Sequence, residues 1–218
     1  MLSFLAKHPT HTRNAHNNPV IFDDGRSSIE FKSPSDSYLV INRWPPAASD
    51  AEVASEKVPN KANCALAPPL HWHILQKETF HVLEGKAEFT LDGRELTATA
   101  GDVVTIPARA FHTFRNASEE EGLVIEFSLA PSTRERDEAF FRNVQGYRDD
   151  CRKAGMQRRL PQVLLFNWRA NVVLALPGPK LLAKVMGLLM NFVGGLLIGK
   201  WILGYSDTYP EYYHKASL

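Results

Sequence analysis

Cysteine is nearly missing from this chain. Cys64 and Cys151 stand far apart with no CxxC pairing, so neither a disulfide framework nor a cysteine-based zinc site is supported. An excess of one charge is missing as well. Twenty-five Lys and Arg meet 24 Asp and Glu, for a formal charge of +1, so no global field favours nucleic acid. The N-terminus, MLSFLAKHPTHTRNAHNN, lacks the apolar core and small-residue cleavage site of a signal peptide. An intracellular, cytoplasmic location is therefore expected, and the acceptor-like Asn116-Ala-Ser118 carries no weight. Between Lys184 and Lys200 stand fifteen uncharged residues, short of the ~20 that span a bilayer. No internal repeat is present.

What is present divides into three zones within a length suited to one sizeable domain with an appendage. Residues 1–19 are polar and predict a flexible arm. Residues 20–130 hold short β-branched or aromatic runs separated by turn signals. They predict strands at Ile29–Lys32, Tyr38–Arg43, Leu70–Leu75, Thr79–Leu83, Ala87–Leu91, Glu95–Ala98, Val103–Ile106, Phe111–Asn116 and Leu123–Ser128. Asp92-Gly93 marks a hairpin, because both residues tolerate positive φ. The Pro/Ala/Ser-rich stretch from Pro45 to Pro69 predicts a long surface loop. So many short strands with little room for helix indicate an antiparallel sandwich or barrel. Residues 131–218 predict a helical extension: Ser132 and Thr133 can cap a helix striped by Ala139, Phe140, Phe141 and Val144. Apolar segments follow at Val163–Leu176 and Leu181–Leu203.

The stretch LHWHILQKETFHVLEG, Leu70 to Gly85, gathers three histidines and two glutamates. Strand alternation puts His71 and His73 on one face. Glu78 lies five residues after His73, out of phase for one continuous strand. A turn at Gln76-Lys77 lets Glu78 open the next strand and point back inside, with Phe80 and Val82 inside and His81 outside. Two imidazoles and a carboxylate then converge, a donor set for a first-row divalent metal. In GDVVTIPARAFHTFRN, Gly101 to Asn116, His112 follows a Pro-containing turn and can complete the site if the barrel closes.

These residues carry a family resemblance. His71, His73, Glu78 and Gly85 match H-x-H-x4-E-x6-G, and Gly101, Pro107, His112 and Asn116 match G-x5-P-x-G-x2-H-x3-N, the two signatures of the cupins. The resemblance implies a mainly β, jelly-roll-type cupin barrel, with metal ligands at His71, His73, Glu78 and His112. Arg109 departs from the pattern by standing where the family has glycine, and it implies either strain at positive φ or another form of turn. The barrel-plus-helical-tail organisation resembles cupin-domain oxidoreductases of fungal secondary-metabolite clusters.

A metal held by three imidazoles and a carboxylate keeps two octahedral positions open. Fe(II) is the expected ion, with Mn(II), Zn(II), Ni(II) and Cu(II) as alternatives that affinity order does not separate. The expected activity is a metal-dependent oxidoreductase, a dioxygenase among the options, acting on a small enolic or phenolic, polyketide-like metabolite. Glu78 and His112 are the residues expected at the chemistry, Glu78 as a base. Phe80, Phe89, Phe114 and Phe127 are either pocket wall or barrel core, with core packing the simpler reading. Arg43, Trp44 and Arg109 are candidates for rim contacts to an acidic or phenolic substrate. The alternatives are a Lewis-acid isomerase, cyclase or decarboxylase without oxygen, and a non-catalytic metal or small-ligand binding module. No basic recognition helix is attached, which counts against nucleic acid as a partner. A homodimer is compatible with an exposed edge and an apolar tail. For the C-terminal helices, packing on the barrel or on a second copy is the first reading and membrane association the second.

Overall fold

Alternating inward apolar and outward polar side chains drive the region after Asn18 into short paired strands. The computed structural model describes residues 2–49, 64 and 66–215. Of the expected loop between Pro45 and Pro69, residues 50–63 and 65 lie outside that description. The chain divides into two compact units, Asn18–Ser132 and a second built from Met1–Asn17 with Thr133–Leu218.

Within the first unit the strands are β1 (Val20–Phe22), β2 (Ser27–Phe31), β3 (Val40–Trp44), β4 (His71–His73) and β5 (Lys77–Glu84). They continue as β6 (Lys86–Leu91), β7 (Arg94–Thr99), β8 (Val103–Ile106), β9 (His112–Asn116) and β10 (Leu123–Ala130). Every strand expected from the sequence is present, with bounds shifted by at most two residues, and β1 is an addition. One sheet runs β1-β2-β3-β10-β5-β8, and the other contains β4-β9-β6-β7 in that order. This is a jelly roll of two antiparallel sheets and not a closed barrel. Asp92 (φ 47°) and Gly93 (φ 81°) form the β6–β7 turn, both in the left-handed region that a tight hairpin needs. At Gly85 (φ 81°) a Cβ would stand 2.3 Å from the Gly122 carbonyl oxygen, so any side chain there would collide with backbone. The interior centres on Val40, Phe80, Phe89, Phe114, Ile125 and Phe127, all buried.

In the second unit α1 (Arg134–Lys153) and α2 (Leu160–Ala170) precede β11 (Val172–Leu174) and α3 (Lys180–Met190). A π-helix, Asn191–Ile202, continues α3 directly. The sequence places Val172–Leu174 within the expected helical extension, and the structure makes it a short strand instead. Asn171, at φ 59°, ends α2 in the left-handed conformation and lets the chain extend. Tyr147, Cys151, Phe166 and Tyr212 form the core of this unit, with Phe140 and Val144 packed against it. Residues 2–17, expected to form a flexible arm, make specific contacts with the helical unit. Asp150 accepts hydrogen bonds from Thr12 N (2.7 Å), Thr12 Oγ1 (2.6 Å) and Tyr212 Oη (2.6 Å), and the His11 ring packs against Tyr209 and Tyr212.

Candidate metal centre

Strand register builds the site. His71 on β4 lies directly opposite His112 on β9, and alternation puts His73 on the same face as His71. The chain then leaves the sheet through Ile74 to Gln76 and enters β5 in the facing sheet, where Glu78 turns inward. The expected turn before Glu78 is therefore a crossing between sheets, and β4 and β5 are not hydrogen-bonded neighbours. Among the described residues, His71, His73, Glu78 and His112 form a buried group whose donor atoms all lie within 4.8 Å of one another.

The hydrogen bonds around the group set its chemistry. His71 Nδ1 donates to Pro69 O at 2.9 Å and His112 Nδ1 to Ala110 O at 3.0 Å, so both rings turn Nε2 inward. His112 Nε2 donates to Glu78 Oε2 at 2.8 Å, and Glu78 Oε1 lies 3.5 Å from His73 Nε2. Burial alone would raise Glu78, but His73 and the bonded His112 outweigh it and hold the carboxyl at about 2. Burial lowers His112, yet the hydrogen bond and charge of Glu78 outweigh that and leave it raised. Burial, reinforced by His112 and His73, holds His71 well below the usual histidine range. His71 Nε2 and His73 Nε2 face each other at 3.3 Å. Two imidazole nitrogens so oriented, beside an anionic carboxylate and away from water, suit a shared cation. Three imidazoles and one carboxylate are the donor set of a first-row divalent ion.

The other expected site residues fall in two places. Phe80, Phe89, Phe114 and Phe127 pack ring on ring, with centroids 4.8–5.6 Å apart, as a layer one strand step from Glu78 and His112. Arg43 is exposed on the outward face of β3, while its neighbour Trp44 is buried against Phe114 and so is not at the rim. Arg109 is exposed, its N–H donating to His73 O at 2.9 Å. Its φ is 67°, so the turn keeps the left-handed form that glycine would favour instead of adopting another.

On β3 the sequence reading missed the inward Asn42, and it placed the inward Trp44 at the rim. Among the described residues, the buried Asn42 Oδ1 and Trp44 Nε1 have no hydrogen-bond partner. Alternation from Val40 was the signal that could have found them. Asn116, a motif residue given no role above, is fully buried. Its Nδ2 donates to Pro45 O (2.9 Å) and Glu121 O (2.7 Å), pinning the loop between β9 and β10.

Comparison with known proteins adds to this geometry. Residues 64–128 match the family model described as Cupin domain. The protein named Probable oxidoreductase virH, from Hypocrea virens, is 28% identical over 219 residues, covering 97% of this chain and 94% of that protein. Probable oxidoreductase yanE, from Aspergillus niger, is 30% identical over 66% of this chain and 58% of its own length. Oxidoreductase iacF, from Pestalotiopsis fici, is 34% identical over 55% of this chain and 61% of its own length. The chain thus spans nearly all of the first relative and about three fifths of the other two.

Proposed function

This chain carries a cupin domain, and we propose that it makes the protein a metal-dependent oxidoreductase acting on a small enolic or phenolic, polyketide-like metabolite. The observation that carries the reading is the buried group His71, His73, Glu78 and His112, with all its donor atoms within 4.8 Å. The fungal relatives named as oxidoreductases support it.

A divalent ion held by these four residues, Fe(II) in our reading, would supply a Lewis acid and a redox centre. The protein's own part is preparation. The Pro69 and Ala110 carbonyls fix the Nδ1 protons of His71 and His112, so those rings need not reorient to present Nε2. To hold a divalent ion through Nε2, His112 would first release that proton to solvent, which would also free Glu78 Oε2 from the hydrogen bond. Glu78 remains anionic and is the base we assign to the acidic proton of an incoming enol or phenol. The phenylalanine layer beside the ligands keeps water from reactive intermediates.

The test begins with elemental analysis of protein purified without added metal or chelator, for wild type and His73→Ala. About one iron per chain, lost in the variant, is expected, followed by oxygen uptake with β-dicarbonyl or polyphenol substrates. Stoichiometric zinc without oxygen uptake would replace this reading by Lewis-acid isomerase, cyclase or decarboxylase chemistry. Protein that takes up no metal on reconstitution would leave a small-ligand binding module.

A further inference from the structure

The helical unit carries a cavity of its own, of about 320 Å³, and every lining residue lies between Thr133 and Lys215. Three segments wall it: the first turns of α1, the last turns of α2, and the C-terminal segment from Asp207 to Lys215. Such a volume is near the lower end of the roughly 300–1,000 Å³ of ligand pockets and suits a compact molecule. The apolar wall is set by the core of the unit. Phe166 is buried in that core, and Phe140 packs against it from α1. Ala139 beside Phe140 contributes only a methyl group, which leaves room that a larger side chain would fill. A wall fixed by core packing needs little ordering when a ligand arrives.

The charged lining groups mostly answer one another. Lys215 pairs with Glu135 at 3.1 Å, Lys200 with Asp207 at 2.9 Å, and Arg136 with Asp137 at 3.3 Å. Arg169, in the last turn of α2, is the exception. Among the described residues its guanidinium has no hydrogen-bond or ion-pair partner, although Glu135 and Asp207 line the same cavity. Thr208 Oγ1 accepts from Asn143 Nδ2 at 3.1 Å, and its own hydroxyl proton is left for another acceptor. Both groups are donors, and the guanidinium is a planar fork that matches a carboxylate.

We propose that this cavity binds a small organic carboxylate, its charge on Arg169 and its apolar body against Phe140 and Phe166. Arg169 is exposed, so its contact is worth less than a buried ion pair, and the apolar wall supplies the rest of the affinity. An inorganic anion would gain nothing from that wall, and an uncharged molecule would gain little from the guanidinium. The site is separate from the metal group. His71, His73, Glu78 and His112 belong to the other unit, and none of them lines this cavity.

The test titrates benzoate, its uncharged analogue benzamide, and inorganic phosphate into the full-length, isotope-labelled protein as purified, with binding read from backbone amide shifts. Benzoate should move the amides of residues 133–140, 166–169 and 207–215 along one saturable curve, with a Kd of about 1 mM. Arg169→Gln should weaken benzoate about fivefold, and benzamide should bind wild type with about the same loss. Ala139→Leu, which fills the cavity and keeps Arg169, should weaken benzoate about tenfold. Both variants should keep the wild-type circular dichroism spectrum. The shifts should survive chelation, whereas those of a carboxylate bound at a metal would not. Shifts confined to the jelly roll overturn the proposal, as does a curve that shows no saturation at about 10 mM benzoate. Equal binding by Arg169→Gln, or displacement of benzoate by phosphate, overturns it as well.

Discussion

At the residue scale, the chemistry depends on where protons sit. The Glu78 carboxyl is held at about 2 by the imidazoles around it, so it is anionic at neutral pH. His71 is held low by burial, so its Nε2 stays open to a metal down to acidic pH. Arg109 shows a different cost. At φ 67° a non-glycine residue is strained by about 1 kcal/mol, and the compensating Arg109 Nε to Ile74 O contact is long at 3.4 Å. Arg109→Gly should therefore be at least as stable as wild type in urea unfolding. Arg109→Ala, which keeps the strain and loses the contact, should fall below the glycine variant by about 1 kcal/mol. A glycine variant that loses stability would mean that the arginine side chain holds the turn.

At the element scale, each strand serves two faces. On β5, Glu78 and Phe80 face in while His81 faces out, and there it joins a polar cluster with neighbouring strands. Glu126 on β10 accepts from His81 Nδ1 at 3.0 Å and is paired with Lys32 at 2.8 Å. Burial alone would raise Glu126, but Lys32 and His81 outweigh it and lower it. Its folded-state value lies below the ordinary 4.5, so the stability from its ionisation is fully present above that pH and is lost as pH falls through the depressed value. Glu126→Gln should cost about 1–2 kcal/mol at neutral pH, and the gap to wild type should close in acid. Thermal melts of both proteins from pH 7 down to 3 would reveal it, and a gap constant over that range would refute the assignment.

At the scale of the whole molecule, two cores carry separate tasks. The jelly roll of Asn18–Ser132 brings the donor atoms of His71, His73, Glu78 and His112 within 4.8 Å of one another, while the helical unit is built around Tyr147, Phe166 and Tyr212. An ion that binds only the folded site stabilises in proportion to RT ln(1 + [L]/Kd), about 4 kcal/mol at a thousandfold excess over Kd. Chelation should therefore lower the melting temperature of wild type by several degrees and leave His112→Ala unmoved. Hydrogen exchange after chelation should rise in β4, β5 and β9. A chelator effect of equal size in the variant would place the metal elsewhere.

The sequence by itself determined the strands, their alternation and the identity of the four converging side chains. A period of two and a hairpin turn are local properties, and His71, His73, Glu78 and His112 are individually visible in them. It could not determine which strands are neighbours. That His71 faces His112 across one sheet, with Glu78 in the other, follows from long-range pairing that no local pattern encodes. The form of the turn at Arg109 was likewise decided by the tertiary structure, where its N–H bonds to His73 O across the loop and holds a conformation arginine alone disfavours. The exposure of α3 was decided at the same level. Composition marks Leu181–Leu203 as apolar, but only packing shows that the glycines face the protein and the leucines do not. Burial is a property of neighbours, and neighbours distant in sequence are set by the fold.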